Sequence, residues 1–270
     1  MKPHHLILNR FAAVAITTLA LGIGTSTAVV TVADALLFRP LPVVDEDRLT
    51  LLWGETPDGR FSNVPLRLEE AQAFQRQARS IDQLAYHTFR GASPEAFRDG
   101  DRVMQLRIAM VSGNYFDVIG ARPAVGRAFG ADDDVRGVAP VLVLSHRAWR
   151  QQFAGDSGVI GKSIMVATSG RSYQVVGVMP PGLDYPRGTD VWTPLSAYSA
   201  ADGFFDLASN ELDLVTRLAT GATAVQARSE LTTFFAGITG SAWRNQARGV
   251  ATGFHAVSYT HLTLPTILRV

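Results

Sequence analysis

Between Phe11 and Ala33 the chain carries no charged side chain, and no later stretch is comparably apolar. A helix rises ~1.5 Å per residue, so this run reaches roughly 34 Å, enough to cross a hydrocarbon core of ~30 Å with some tilt. The sequence therefore predicts one N-terminal transmembrane helix. A cleaved signal peptide is the competing reading, with Lys2 and Arg10 as its basic region and Ala33-Asp34-Ala35 resembling a cleavage site. Secretory apolar regions are shorter, ~7–15 residues, and Asp34 fits such a site poorly, which favours a retained helix. Ala20, Gly24 and Ala28 put small side chains on one helical face and would let a second helix approach closely.

Lys2 and Arg10 precede the helix, whereas Asp34, Arg39, Asp45, Glu46 and Asp47 follow it. Basic residues stay on the cytoplasmic side, so the N-terminus is expected inside and the rest of the chain outside the cytoplasm. That remainder contains no cysteine. Disulfide and thiolate chemistry are thereby excluded, and the composition is compatible with a bacterial periplasm. A formal net charge of +1 with 18% charged residues leaves no basic footprint for nucleic acid.

Along the exported part, Pro40 and Pro42 end the helix and Leu49 to Trp53 reads as a buried first strand. Pro57-Asp58-Gly59 reads as a turn. Apolar Leu66, Ala73, Phe74, Ala78 and Ile81 at helical spacing predict an amphipathic helix from Leu66 to about Ile81. Val103 to Val111 alternates as a strand. Gly113, Gly120, Gly126 and Gly130 then punctuate a loop-rich stretch pegged by Tyr115-Phe116 and Phe129. Val141 to Leu144 is a wholly apolar strand, Ser145 can cap a helix starting at His146, and Gly155-Asp156 ends that helix. Ile164 to Val166 and Tyr173 to Val178 read as a hairpin around Ser169-Gly170, stopped by Met179-Pro180-Pro181-Gly182. Leu212 to Leu218 reads as a strand. Thr223 and Gln226 form a capping box for a helix to about Ile238. Strands and helices alternating irregularly, with hairpins, predict an α+β domain, with Trp149, Phe153, Phe116 and Trp192 as core anchors.

No constellation of catalytic residues can be read. Gly155 to Ser163 ends in the Gly-Lys-Ser of a phosphate loop, but Asp156 stands where that loop needs its first glycine, and its carboxylate would repel a phosphate. A helix also precedes the segment and a strand follows, the reverse of a phosphate loop. Ser145-His146 reads as a cap and not as a nucleophile beside a base, since neighbours at a helix start point apart. Asp132-Asp133-Asp134 lacks the spacing of a calcium loop and reads as a solvated turn. The six histidines are scattered, with His4-His5 at the cytoplasmic end, and show no metal-ligand spacing. We therefore assign no catalytic, cofactor-binding or metal residues, and expect neither an enzyme nor a cofactor.

Several strings together resemble the N-terminal part of MacB-like ABC transporter permeases. Leu19 to Gly24 running into Ala35 to Pro42 is similar to that family's first transmembrane helix and its exit. Val111-Ser112-Gly113-Asn114-Tyr115-Phe116, Gly126-Arg127-Ala128-Phe129, Leu144 to Trp149, Gly161-Lys162, Val176 to Pro180 and Asp190 to Leu195 then follow in the family's order, across roughly residues 19 to 240. The resemblance implies an inner-membrane permease whose periplasmic domain transmits motion from a cytoplasmic ABC ATPase subunit. It also implies a permease homodimer or pseudo-dimer, contact with membrane lipid, and room for a periplasmic adaptor protein. The family continues into an FtsX-like membrane domain of three helices, which this chain lacks, so the sequence reads as a fragment of an efflux or mechanotransmission permease. A signal-anchored periplasmic enzyme and a free periplasmic binding module are the alternatives.

Val257 to Thr266 is similar to the in-frame translation of a transposase-type sequencing-library adapter, GTC TCT TAT ACA CAT CTG ACG CTG CCG ACG. The expected organisation is thus a cytoplasmic leader and transmembrane helix over residues 1–36, a MacB-like periplasmic core domain over 37–256, and a non-native tail over 257–270. The true gene product is expected to continue beyond Ala256.

Overall fold

A computed structural model describes residues 15–27, 43–55, 62–64, 66–88, 92–197, 211–237 and 253–258. The chain divides into two units, the smaller comprising Met1–Pro40 and Leu264–Val270 and the larger Leu41–Thr263. In the smaller unit, residues 15–27 form helix α1, every residue of which is exposed. Its outward side chains include Ile16, Leu19, Leu21 and Ile23, and Thr25 Oγ1 donates back to Leu21 O at 2.8 Å. Among the described residues no helix is long and apolar enough to cross a membrane. The rest of the Phe11–Ala33 run, with Ala28, lies outside the described residues, as does the predicted Pro57-Asp58-Gly59 turn.

The larger unit begins with β1 (Leu49–Glu55), β2 (Ser62–Val64), β3 (Leu66–Arg67), α2 (Leu68–Gln77) and β4 (Ile81–Thr88). It continues with β5 (Ser93–Asp99), β6 (Arg102–Val111), α3 (Tyr115–Ile119), β7 (Val125–Gly126), β8 (Val141–Leu144) and α4 (His146–Phe153). It ends with β9 (Ser163–Val166), β10 (Ser172–Val178), β11 (Val191–Pro194), β12 (Glu211–Leu218), α5 (Ala224–Gly237) and β13 (Gly253–Ser258). This is the expected α+β class.

Strand order resolves two parts. β13, β1, β12 and β4 lie side by side, and with α2 and α5 they make a βαββαβ wing. Between the second and third strands of that wing the chain inserts a closed ring. β6, β11, β8, β10, β9 and β5 pair in turn and β5 returns to β6. Wing and ring meet where His87 of β4 pairs with Val111 at the end of β6. One apolar cluster fills the ring and runs under the wing's helices, through Leu106, Ile108, Leu142, Ile164 and Val175 to Leu52, Phe74, Leu214 and Leu231. A second covers the outer face, with Leu49, Leu51, Ala85 and Val215 of the wing against Tyr115, Phe116, Val143 and Trp192. Alternating side chains of β6 and β8 supply the two clusters in turn.

The predicted elements differ from the structure around α2, at β4 and β5, and after β6. Leu66 pairs with Leu212 in a short strand and Ile81 opens β4, so the helix is cut at both ends. Both residues are buried by the sheet, which is why they carry an apolar pattern without being helical. The N–H groups of Arg79 and Ser80, freed by the break, donate to Glu230 Oε2 of α5 at 2.9 and 3.0 Å. β4 and β5 were not expected. β4 shows no alternating burial, and β5 carries Pro94 on a half-exposed strand. The predicted loop after β6 instead contains α3, all but Asp117 of which is buried.

Ser145 caps α4 as expected, its Oγ accepting from Ala148 N at 3.1 Å. Ala154 closes the helix in a left-handed conformation and Gly155 follows it, also at positive φ, so the helix ends where expected. Phe116, Phe153 and Trp192 are buried. Trp149 packs against the core at its edge, half-buried, and its Nε1 donates to Asp156 O at 2.8 Å. Of the expected tail, Val257 and Ser258 lie in β13, and residues 259–270 are outside the described ones.

Candidate functional site

The residues singled out in the sequence do not converge; each is engaged locally. Asp156 Oδ1 accepts from Gly158 N at 2.9 Å in a turn between α4 and β9, and Lys162 Nζ lies 3.5 Å from Asp99 Oδ2. That is the helix-then-strand order that cannot cradle a phosphate. These groups border a groove of ≈ 370 Å³ with Arg102 and Gln151. Arg102 donates to the Gln152 backbone and side-chain oxygens there. Ser145 Oγ is engaged by its helix, while His146 packs edge-on against Trp149 at 5.5 Å.

The aspartate triplet is a staple for loops. Asp133 accepts two bonds from Arg127 at 2.8 Å, and that hydrogen bonding, outweighing partial burial, lowers its pKa. Asp134 accepts from Gly113 N at 2.7 Å and Ser196 N at 2.9 Å. Among the described residues no three His, Asp or Glu side chains group as metal ligands would.

Two polar clusters that sequence reasoning missed lie on β12, the first where wing and ring join and the second at the other end of the strand. In the first, His87 and Asp213 are cross-strand partners on β4 and β12. His87 Nδ1 faces Thr88 O at 3.0 Å, and a carbonyl can only accept, so Nδ1 carries the proton. Nε2 then accepts from the Tyr185 hydroxyl at 3.2 Å. Burial, partly offset by the Thr88 bond, pushes His87 down to about 4. Burial pushes Asp213 up to about 7, and its Oδ1 has no hydrogen-bond partner among the described residues. Tyr185 O collects the Tyr115 hydroxyl at 3.0 Å and Trp192 Nε1 at 2.9 Å. The cluster is a buried polar plug, and through the Tyr185 hydroxyl it ties the 183–190 loop of the ring to His87 of the wing.

In the second, Arg217 on β12 is 7% exposed and sits on the face covered by α3. Its Nε donates to Val118 O at 2.9 Å and its Nη1 to Asp45 O at 3.4 Å. Arg48 reaches Leu218 O with Nε at 2.9 Å and Nη2 at 2.7 Å, and Asp82 at 3.1 Å. Desolvation, then the neighbouring Arg48, lowers the pKa of Arg217. The sequence held one signal for both clusters. Asp213 and Arg217 are charges at alternate positions of an otherwise buried strand, where charge is costly unless paired.

The family model for the MacB-like periplasmic core domain matches residues 12–234. No curated protein sequence matches the chain at a significant level. Among solved structures, the fold is similar to the periplasmic region of MacB from Actinobacillus actinomycetemcomitans, with a TM-score of 0.59 and 17% identity over 80% of this chain and 90% of that one. It is also similar to the extracellular domain of the noncanonic ABC-type transporter YknZ from Gram-positive bacteria. There the TM-score is 0.57 and the identity 14%, over 77% of this chain and 99% of that one. At such identities the likeness is one of fold.

Proposed function

Because this chain belongs to the family that carries the MacB-like periplasmic core domain, we propose that it is a permease subunit of an ABC transporter that couples a cytoplasmic ATPase to periplasmic events. One observation carries the reading. The family match begins at residue 12, inside the uncharged run, and continues to residue 234, so one match spans both the apolar segment and the ring-and-wing domain. Residues 1–36 are then a cytoplasmic leader and a membrane helix in the bacterial inner membrane. Residues 37–256 form the periplasmic core, and the permease works as a homodimer or pseudo-dimer, with or without an adaptor protein.

We assign residues 257–270 to adapter-derived sequence. Val257 and Ser258 are then non-native residues within β13. Sequencing genomic DNA past the codon for Ala256 tests this, and recovery of the same codons would refute it.

The topological part is tested with alkaline phosphatase fused after Leu195 of the full chain, together with protease added to spheroplasts. An active reporter and digestion of everything after about Arg39 are expected. An inactive reporter with that region protected would overturn the orientation. The ATPase part is tested by tagging the complete gene product in its own host, where an ABC ATPase should copurify and lose its association when residues 1–36 are replaced.

A further inference from the structure

Resting on the transmission role proposed above, we propose that Arg217 is a positioning residue. It ties the segment arriving at Val43 to α3, so that displacement of that segment reaches the ring along α3 and not only through the strands of the wing.

The register shows why a second route exists. Leu49, Arg217 and Gln83 stand side by side at one end of the wing. The ring departs and returns at the other end, where Thr88 faces Leu212 and His87 pairs with Val111. From that far end the chain runs back along the wing's outer face. Ser112 N donates to Tyr86 O at 2.9 Å, Asn114 Nδ2 to Leu84 O at 2.9 Å, and Val118 O then receives Arg217. Residues 112–119, which end in the short α3, thus form a strut from the ring joint to the arriving segment.

At its foot the strut has no slack. Gly120 holds φ +70°, and a Cβ there would lie 2.9 Å from both Arg217 Nη2 and Val44 N. The end of α3, the guanidinium and the arriving backbone are therefore in direct contact. At its head, Phe116 packs against Trp192 of β11 at 5.8 Å and against Phe129 at 4.9 Å. Close-packed contacts of this kind pass strain on instead of absorbing it. Arg217 Nη2 is buried with no hydrogen-bond partner among the described residues. A buried unpaired donor is destabilising, so the residue is poorly explained as a stabiliser of the resting fold. A planar fork with one loose bond and one free donor can follow the Asp45 carbonyl as the segment shifts, while Nε keeps its hold on Val118.

Contiguity alone does not establish coupling, so the test is mechanical. The chain has no cysteine, and Leu41→Cys with Ser157→Cys provides two handles on the full chain in detergent for optical tweezers. In the parent chain, residues 43–48 should stay attached until the wing opens. Arg217→Met, and Arg217→Lys, whose single ammonium cannot fork between two carbonyls, should each detach that segment at least tenfold faster at fixed load. The later opening of the ring should be unchanged. Hydrogen exchange on the same variants should show residues 45–48 and 118–121 losing protection together while β8 and β10 keep theirs. Unchanged detachment in either folded variant overturns the proposal, as do equal weakening of every unfolding event and failure of both variants to fold. No ATPase enters the experiment, so a negative result leaves the permease reading standing, and failure of the topology test leaves the mechanical result standing.

Discussion

Replacing Trp192 by alanine should open the ring. Trp192 is fully buried on β11, the strand that closes the ring between β6 and β8. Its indole packs edge-on against Phe116 and donates Nε1 to Tyr185 O at 2.9 Å. A buried indole removes up to about 250 Å² from water, which at ~25 cal/mol per Å² sets a ceiling of about 6 kcal/mol. A compact unfolded chain already hides a part of that area, which brings the loss to about 4 kcal/mol. The lost hydrogen bond adds only about 0.5–1 kcal/mol, because Tyr185 O keeps the Tyr115 hydroxyl and is not orphaned. A total of about 4–5 kcal/mol falls within the range for aromatic truncation. In a domain of this size it corresponds to a melting point lower by roughly 10–15 °C. Calorimetry of the full chain measures it. Trp192→Phe keeps most of the area and loses the bond, so it should cost about 1–2 kcal/mol. An alanine variant melting within about 4 °C of the parent, or a phenylalanine variant as damaged as the alanine one, would refute the packing argument.

The joint cluster makes an opposed pair of pH effects. Asp213, raised to about 7, binds more protons folded than unfolded, so its contribution falls as pH rises from about 4 to 7. His87, lowered to about 4, binds fewer protons folded, so its contribution rises from about 4 to 6.5. Urea midpoints of the parent should be nearly flat over that window, whereas Asp213→Asn should gain stability with rising pH and His87→Phe should lose it; parallel profiles in all three would exclude the pairing. Gly177→Ala should detach β7, because a Cβ there meets Arg127 O at 2.1 Å, and the amides of Ala124 and Arg127 that bond to β10 should lose exchange protection. Lys162→Ala should leave nucleotide binding at the background level, and a saturable affinity in the parent that the variant loses would overturn the exclusion of a phosphate loop.

How much was legible follows from where each pattern came from. β8, the Ser145 cap, α4 and the β9–β10 hairpin were readable because a four-residue apolar run, a capping hydroxyl and a turn glycine are local signals. Gly170, at φ +69°, turns that hairpin as Ser169-Gly170 suggested. β4 escaped because its two faces are both buried, by α3 on one side and α2 with α5 on the other, which erases the alternation that marks a half-exposed strand. The ring could not be read at all. Its closure depends on β11 pairing with both β6 and β8, contacts between residues far apart in the chain that leave no periodic trace. The joint residues were missed for a related reason. His87, Tyr185 and Asp213 come from three separate segments, and only the fold brings an imidazole, a phenol and a carboxyl into one buried cluster.

The place of the insertion explains why the second cluster sits where it does. β1 and β13 are antiparallel, with Leu52 opposite Ala256, so the start of β1 and the end of β13 lie at the same end of the wing. The ring hangs from β4 and β12 at the opposite end, and β12 lies between β4 and the strand that receives the chain. A displacement applied at the arriving segment would have to shear across two strand pairs, β1–β12 and β12–β4, or travel the length of β12 before it moved the ring. The 112–119 segment on the outer face, bonded by Arg217 at one end and with Phe116 packed against Trp192, is a second connection between the same two points. That makes β12 more than a structural strand. Asp213 near one end of it meets His87 at the ring joint, Arg217 near the other meets the arriving segment, and both charges point to the face along which α3 runs.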